Sequence, residues 1–172
     1  MLVELVNTPR PYAWGDVSML ASWQSRPKAE SPEAELWLGT HTGSEAHVRV
    51  PSGHEELLSS FLESHGYPRE LPFLVKVLAA ATPLSLQVHP TLEQAKQGFA
   101  AEEALGVERY SPNRNYKDES DKPEVLIAWS EEFEALVGFQ ESDAIAATLD
   151  ELDILLSSPY STEFLRRALR SG

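Results

Sequence analysis

The sequence predicts a mainly β fold with accessory helices, and two observations carry that prediction. Short strand-like runs separated by glycine and proline turns fill the first half of the chain, as at His47–Val50. Two stronger candidates, Phe73–Leu78 and Leu84–Val88, flank Pro83, which would break or kink any helix running through both. A further strand-like run, Glu124–Trp129, follows a polar segment with the composition of a loop.

Two helices are predicted to accompany these strands. Glu55–His65 carries its apolar residues at helical spacing. Thr91 and Gln94 stand at the spacing of a capping box, so a helix should start there. Gly98 and Gly106 are each expected to end a short helical stretch.

The pattern changes near Gln140, where strand-like runs give way to helical ones. Ser142 is a suitable N-cap for an apolar stripe with helical spacing, and a second helix is predicted over Ser161–Leu169. We therefore expect a first domain over residues 1–140 and the start of a helical domain over residues 141–172.

Composition excludes several classes of function. The 172 residues carry a formal net charge of −13 and no cysteine. Disulfide and thiolate chemistry are thereby excluded, and any metal must be held by nitrogen and oxygen ligands. The acidic field argues against nucleic acid and anionic membranes as partners. No apolar run reaches the roughly 20 residues of a membrane span, and the first residues do not read as a secretory signal, so we expect a cytoplasmic protein.

A small anionic substrate remains compatible with this charge if basic residues cluster locally. Arg109, Arg114, Lys117 and Lys122 form such a cluster along the sequence. Taken one at a time, each is better interpreted as a solvated surface charge.

Two segments carry candidate metal ligands. If Leu84–Val88 is a strand, Ser85, Gln87 and His89 share one face, because alternate side chains point the same way. Such a face can simply meet solvent, yet it holds no Lys, Glu or Asp, and its groups can coordinate a metal. Glu124 opens the next strand-like run and is either the last exposed loop residue or a third ligand. Spacing alone leaves both interpretations open.

Several motifs together resemble the type I phosphomannose isomerases, in register from about Pro11 to Phe139. The motifs are Tyr12–Gly15, Ala34–Gly39, Leu71–Leu78, Pro83–Pro90, Tyr116–Asp118 and Lys122–Glu124. The resemblance implies zinc-dependent interconversion of mannose 6-phosphate and fructose 6-phosphate, with zinc as a Lewis acid. It also implies a cupin-type jelly-roll barrel.

Site residues follow from the same resemblance. It implies that Gln87, His89 and Glu124 bind zinc, and that Ser85 and Lys122 line the sugar-phosphate pocket with Trp14 nearby. Lys122 is the catalytic candidate, as a point charge for anionic oxygen.

The chain departs from the family in two places. Ser120 and Asp121 stand where the family usually has Asn-His, which alters the loop and keeps the ligand that follows. The chain also stops before the family's fourth zinc ligand and its arginine, so we expect a truncated form with little or no activity of its own. The alternative is a non-catalytic cupin-like module that binds a metal or a sugar.

Overall fold

The computed structural model describes residues 2–50, 52–156 and 162–170. The chain divides into two compact units, Met1–Ala135 and Leu136–Gly172. The strands of the described residues are β1 (Glu4–Val6), β2 (Glu35–Leu38), β3 (His47–Arg49), β4 (Glu55–Leu57) and β5 (Val75–Leu78). The helices are α1 (Met19–Trp23), α2 (Leu58–Ser64), α3 (Leu92–Ala104), α4 (Ser142–Leu156) and α5 (Glu163–Arg170).

The first sheet has the order β1-β3-β4, with both pairs antiparallel. Its buried face packs on α2 through a core of Ala46, Val48, Leu58 and Phe61. The predicted strand at residues 47–50 is confirmed for β3. The prediction of one helix from residue 55 is wrong for its first three residues, because these form β4 and pair with β3. Glu55 stands opposite Arg49 in this ladder, and a guanidinium nitrogen of Arg49 lies 2.8 Å from Oε1 of Glu55.

The second sheet pairs β2 with β5 in antiparallel register, which confirms the strand predicted before Pro83 over Val75–Leu78. Leu20 of α1 packs on Leu36 and Ala79 to form a separate core cluster. The turn before α1 approaches this sheet so closely that a Cβ on Gly15 would stand 2.6 Å from the backbone nitrogen of Ala34. Only glycine fits there.

Two predicted strands, residues 84–88 and 124–129, are absent from the described part of the chain. Leu84 makes a single parallel bridge to Ala135, and the remainder of both segments joins no ladder. Val125, Ile127 and Trp129 are consequently 90%, 86% and 85% exposed. The apolar composition was strand-like, but a strand requires a paired neighbour that composition cannot supply. The described residues thus form two small sheets and contain no closed barrel.

Helix α3 begins with the predicted capping box, which is confirmed: Thr91 and Gln94 each accept a hydrogen bond from the other's backbone N–H. The predicted end of a helix at Gly98 is wrong, since α3 continues through this residue to Ala104. The ring of Tyr116 packs directly against Gly98, so a side chain at this position would collide with the ring. The stop at Gly106 is confirmed by a left-handed φ of 69° just beyond the C-cap.

The second unit contains α4 and α5. Ser142 is the first residue of α4 rather than its cap, because the N–H of Ile145 donates to the carbonyl of Glu141 at 3.1 Å. Arg166 of α5 pairs with Asp150 at 2.7 Å and with Asp153 at 3.2 Å. Ser161, the predicted start of the last helix, lies outside the described residues. Within the residues that are described, none of the helices has the length and apolar character needed to cross a bilayer.

Candidate functional site

A cleft of ≈ 440 Å³ opens in the first unit between the start of α3 and the loop that follows this helix. Its lining is polar on the loop side and mixed on the helix side. The lining residues are Val88, His89, Pro90, Gln94, Asn115, Tyr116, Asp118, Ser120 and Lys122.

His89 is positioned by the beginning of α3. It stands two residues before the N-cap Thr91, whose backbone N–H donates to the side-chain oxygen of Gln94 at 2.9 Å. Pro90 restricts the backbone between them. The capping box therefore fixes where His89 enters the cleft, and it brings Gln94 into the lining as well.

The opposite wall is held on α3 by Tyr116 and Arg114. The Tyr116 ring occupies the space left by the missing side chain of Gly98. The Arg114 side chain is fully buried, donates to the carbonyl of Tyr116 at 2.7 Å, and lies 5.0 Å over the ring of Phe99. The interpretation of Arg114 as a solvated surface charge is wrong, because the fold surrounds it with acceptors.

Lys122 reaches the cleft from a left-handed backbone conformation, with φ of 52°. Its ammonium donates to Oδ1 of Asp118 at 2.8 Å, and the same oxygen accepts the backbone N–H of Ser120 at 2.9 Å. Partial burial works to raise the pKa of Asp118, but these two hydrogen bonds and the Lys122 charge outweigh it and hold that pKa below its ordinary value. Asp118 is therefore a carboxylate that anchors the Lys122 ammonium at the cleft.

His89, just before α3, and Glu124, beyond the loop that follows this helix, are brought close together. Nε2 of His89 lies 3.9 Å from Oε2 of Glu124, with the two side chains 32% and 58% exposed. Two atoms bound to one zinc ion at about 2.0–2.2 Å can be at most about 4.4 Å apart, so this separation is compatible with a shared ion. Among the described residues, no group of three or more His, Cys, Asp or Glu side chains is arranged to hold a metal ion.

The other predicted site residues lie outside the cleft lining. Ser85 and Gln87 are exposed in the segment that leads to His89, which has no regular secondary structure. Trp14 is half-buried, and its ring stacks on that of Tyr12 with the centroids 5.9 Å apart. The backbone carbonyl of Trp14 accepts a hydrogen bond from the N–H of Ala81 at 2.9 Å. The structure therefore places Trp14 beside the start of the segment that carries Ser85.

The sequence analysis includes Tyr116 and Asp118 in a motif but assigns neither of them a role in the site. Asp118 also precedes Lys122 by four residues within a polar loop, which was a signal for their ion pair. The places of Tyr116 and Asn115 in the cleft depend on how the loop packs on α3, which the sequence does not reveal.

Comparison with known proteins identifies the group to which the chain belongs. Residues 2–142 match the family model described as phosphomannose isomerase type I, catalytic domain. The chain belongs to this family. It is 38% identical over 157 residues to mannose-6-phosphate isomerase of Escherichia coli K12, and 36% identical over 161 residues to a probable mannose-6-phosphate isomerase of Caenorhabditis elegans.

Solved structures of phosphomannose isomerases resemble the fold. The Salmonella typhimurium enzyme bound to fructose 6-phosphate and zinc superposes with a TM-score of 0.59 at 36% identity over 70% of this chain. A zinc-bound mannose 6-phosphate isomerase gives 0.60 at 35% identity over 69% of the chain. The chain spans 40% of the E. coli protein, 36% of the C. elegans protein and 33% of each of these two solved chains.

Proposed function

We propose that this chain carries part of the active site of a zinc-dependent aldose–ketose isomerase that interconverts mannose 6-phosphate and fructose 6-phosphate. Membership of the phosphomannose isomerase family supports the reaction class. The single observation that carries the proposal is the approach of His89 and Glu124 to 3.9 Å at the edge of a cleft that also presents Lys122. An imidazole, a carboxylate and an ammonium are the groups that a metal and an anionic sugar require.

The donor set of the chain fits zinc. His89 supplies nitrogen and Glu124 supplies oxygen, and we assign Gln87 as a third ligand through its amide oxygen. When bound, zinc would supply Lewis-acid polarisation of the sugar carbonyl. The task of the chain's own residues is to hold that carbonyl and the phosphate in place while a proton moves between C1 and C2.

Lys122 is the residue we assign to the anionic oxygens of the sugar phosphate. Its ammonium is fixed by Asp118, so its direction is set before substrate arrives, which avoids an ordering cost on binding. Ser85 and Trp14 are assigned to the same substrate, on the side of the segment that leads to His89. Because the net charge is −13, a local cation such as Lys122 favours binding of an anionic ligand against the overall field.

We further infer that residues 1–140 are the N-terminal part of a cupin-type jelly-roll catalytic domain and that residues 141–172 begin a helical domain. The two small antiparallel sheets are compatible with this assignment. The acidic, cysteine-free composition fits a cytoplasmic enzyme acting on a small sugar phosphate.

The proposal is tested by isomerase activity and by binding of fructose 6-phosphate, each with and without a zinc chelator. We expect the zinc-loaded chain to bind fructose 6-phosphate, chelation to abolish that binding, and Lys122→Met to weaken it with the bound zinc unchanged. Glu131→Gln, a change in another exposed loop, serves as the matched control. Isomerase activity in the zinc-loaded chain would support the enzyme directly. Zinc binding without any sugar-phosphate binding would instead support the alternative of a non-catalytic metal-binding module.

A further inference from the structure

We infer that Glu102 is a positioning residue for the cleft, acting through the backbone of the loop that carries Asp118 and Lys122. The inference rests on the proposed function for what the cleft binds, but its geometry stands alone. Glu102 lies in the last turn of α3 and does not itself line the cleft.

The carboxylate of Glu102 is used at both oxygens. Oε1 accepts the backbone N–H of Asn115 at 3.0 Å and the side-chain amide of the same residue at 3.2 Å. Oε2 accepts the backbone N–H of Tyr116 at 2.7 Å and lies 3.2 Å from Nε of Arg114. Three hydrogen-bond donors and the charge of Arg114 therefore converge on one carboxylate, and two of the donors are backbone N–H groups of cleft residues.

The location is otherwise unfavourable for an acid. The last turn of α3 contains no basic residue, and a carboxylate at a helix C-terminus opposes the helix dipole. Arg114 offsets this cost through its ion pair with Glu102, and its buried guanidinium is held in place by Glu103 at 2.8 Å and by the carbonyl of Val107. The backbone hydrogen bonds from Asn115 and Tyr116 are the main cause of a lowered pKa at Glu102, so the group is ionised.

Neighbouring Glu103 provides a natural comparison. Both glutamates pair with Arg114, but only Glu102 binds the backbone of the loop. Their side chains are 14% and 52% exposed, respectively. If the ion pairs with Arg114 alone held the loop, loss of either carboxylate charge should loosen it. If the backbone hydrogen bonds hold it, only Glu102 matters for the position of Asp118 and Lys122.

The experiment compares Glu102→Gln with Glu103→Gln. In the first variant one acceptor oxygen becomes an NH₂ group facing an N–H donor, so the loop should open more often. We expect amide hydrogen exchange at Asn115 and Tyr116, and acetylation of the Lys122 amine followed by mass spectrometry, to rise about tenfold or more. Glu103→Gln should change both by less than about twofold.

Two outcomes would overturn the inference: unchanged Lys122 acetylation in Glu102→Gln, or an equal rise in Glu103→Gln. If Glu102→Gln loses its helical circular dichroism, Glu102→Asp takes its place in the comparison. Its shorter side chain keeps the negative charge but moves the carboxylate away from the backbone of Asn115 and Tyr116. Unchanged Lys122 acetylation, or an equal rise in Glu103→Gln, would again overturn the inference.

A ligand readout separates positioning from general stability. With zinc content unchanged, Glu102→Gln should weaken fructose 6-phosphate binding about tenfold relative to Glu103→Gln. Equal affinities in the two variants would contradict positioning. If the parent chain binds no fructose 6-phosphate, the proposed function fails, whereas the acetylation comparison still decides the role of Glu102.

Discussion

Replacing Gly98 by alanine tests how the loop is seated on α3. Alanine is favoured over glycine inside a helix by about 1 kcal/mol, so helix propensity alone predicts stabilisation. The structure predicts the opposite, because a Cβ on Gly98 would lie 2.4 Å, 2.5 Å and 2.6 Å from three ring carbons of Tyr116. Ordinary contact begins at about 3.4 Å, so the ring must retreat by about 1 Å.

Overpacking of this kind costs about 1–3 kcal/mol, which exceeds the gain in helix propensity. We expect Gly98→Ala to lower the free energy of unfolding by about 1 kcal/mol. In a Tyr116→Ala background the obstacle is gone, and the same substitution should raise that free energy by about 1 kcal/mol. The coupling between the two sites is therefore about 2 kcal/mol.

Urea denaturation followed by far-ultraviolet circular dichroism measures all four proteins of this cycle. Lys96→Ala, an exposed position of the same helix, is the control and should shift stability by less than about 0.5 kcal/mol. Equal stabilisation by Gly98→Ala in both backgrounds would refute the packing of Tyr116 on the helix.

Two further predictions concern the turn before α1. Gly15→Ala should destabilise the chain by about 2–4 kcal/mol, because its Cβ would meet rigid backbone at Glu33 and Ala34, and a melting temperature equal to the parent's would contradict this. The carboxylate of Asp16 accepts hydrogen bonds from the backbone N–H and hydroxyl of Ser18 and from the N–H of Met19. These bonds lower the pKa of Asp16 and outweigh the opposite effect of its slight burial. Its contribution is thus complete above about pH 5 and is lost as pH falls through its lowered pKa, so the stability advantage over Asp16→Ala should shrink on acidification, and a constant advantage from pH 6 to pH 2 would refute it.

The features that sequence predicted correctly are governed by short-range interactions. The capping box of Thr91 and Gln94 depends on four consecutive residues, and it starts α3 as expected. The end of α3 before Gly106 depends on one left-handed residue. Such features carry their physical cause within one turn of the chain, so a local pattern identifies them.

The features that it missed depend on distant partners. Residues 84–88 and 124–129 have strand-like composition, but no described strand forms a ladder with them. Glu55–Leu57 reads as helix until its pairing with β3 is known. Arg114 reads as a surface charge until two glutamates of α3 surround it.

The candidate site shows the same division. Motif resemblance predicted that His89, Glu124 and Lys122 belong to one site; His89 and Lys122 line the same cleft, and Glu124 lies 3.9 Å from His89. The roles assigned to these three residues remain predictions, as do those assigned to Ser85, Gln87 and Trp14. The contacts of Asp118 and Glu102 could not be predicted from the sequence, because each acts through a loop whose path is set by packing on α3.

Equilibrium dialysis against zinc measures whether His89 and Glu124 form a metal site. The comparison uses the parent chain, His89→Ala, Glu124→Gln and the control His54→Ala, an exposed histidine outside the cleft. We expect about one zinc per parent chain, zinc affinity weakened at least about tenfold by His89→Ala and by Glu124→Gln, and no change in His54→Ala. Equal zinc affinity in all four proteins would contradict a metal centre at His89 and Glu124.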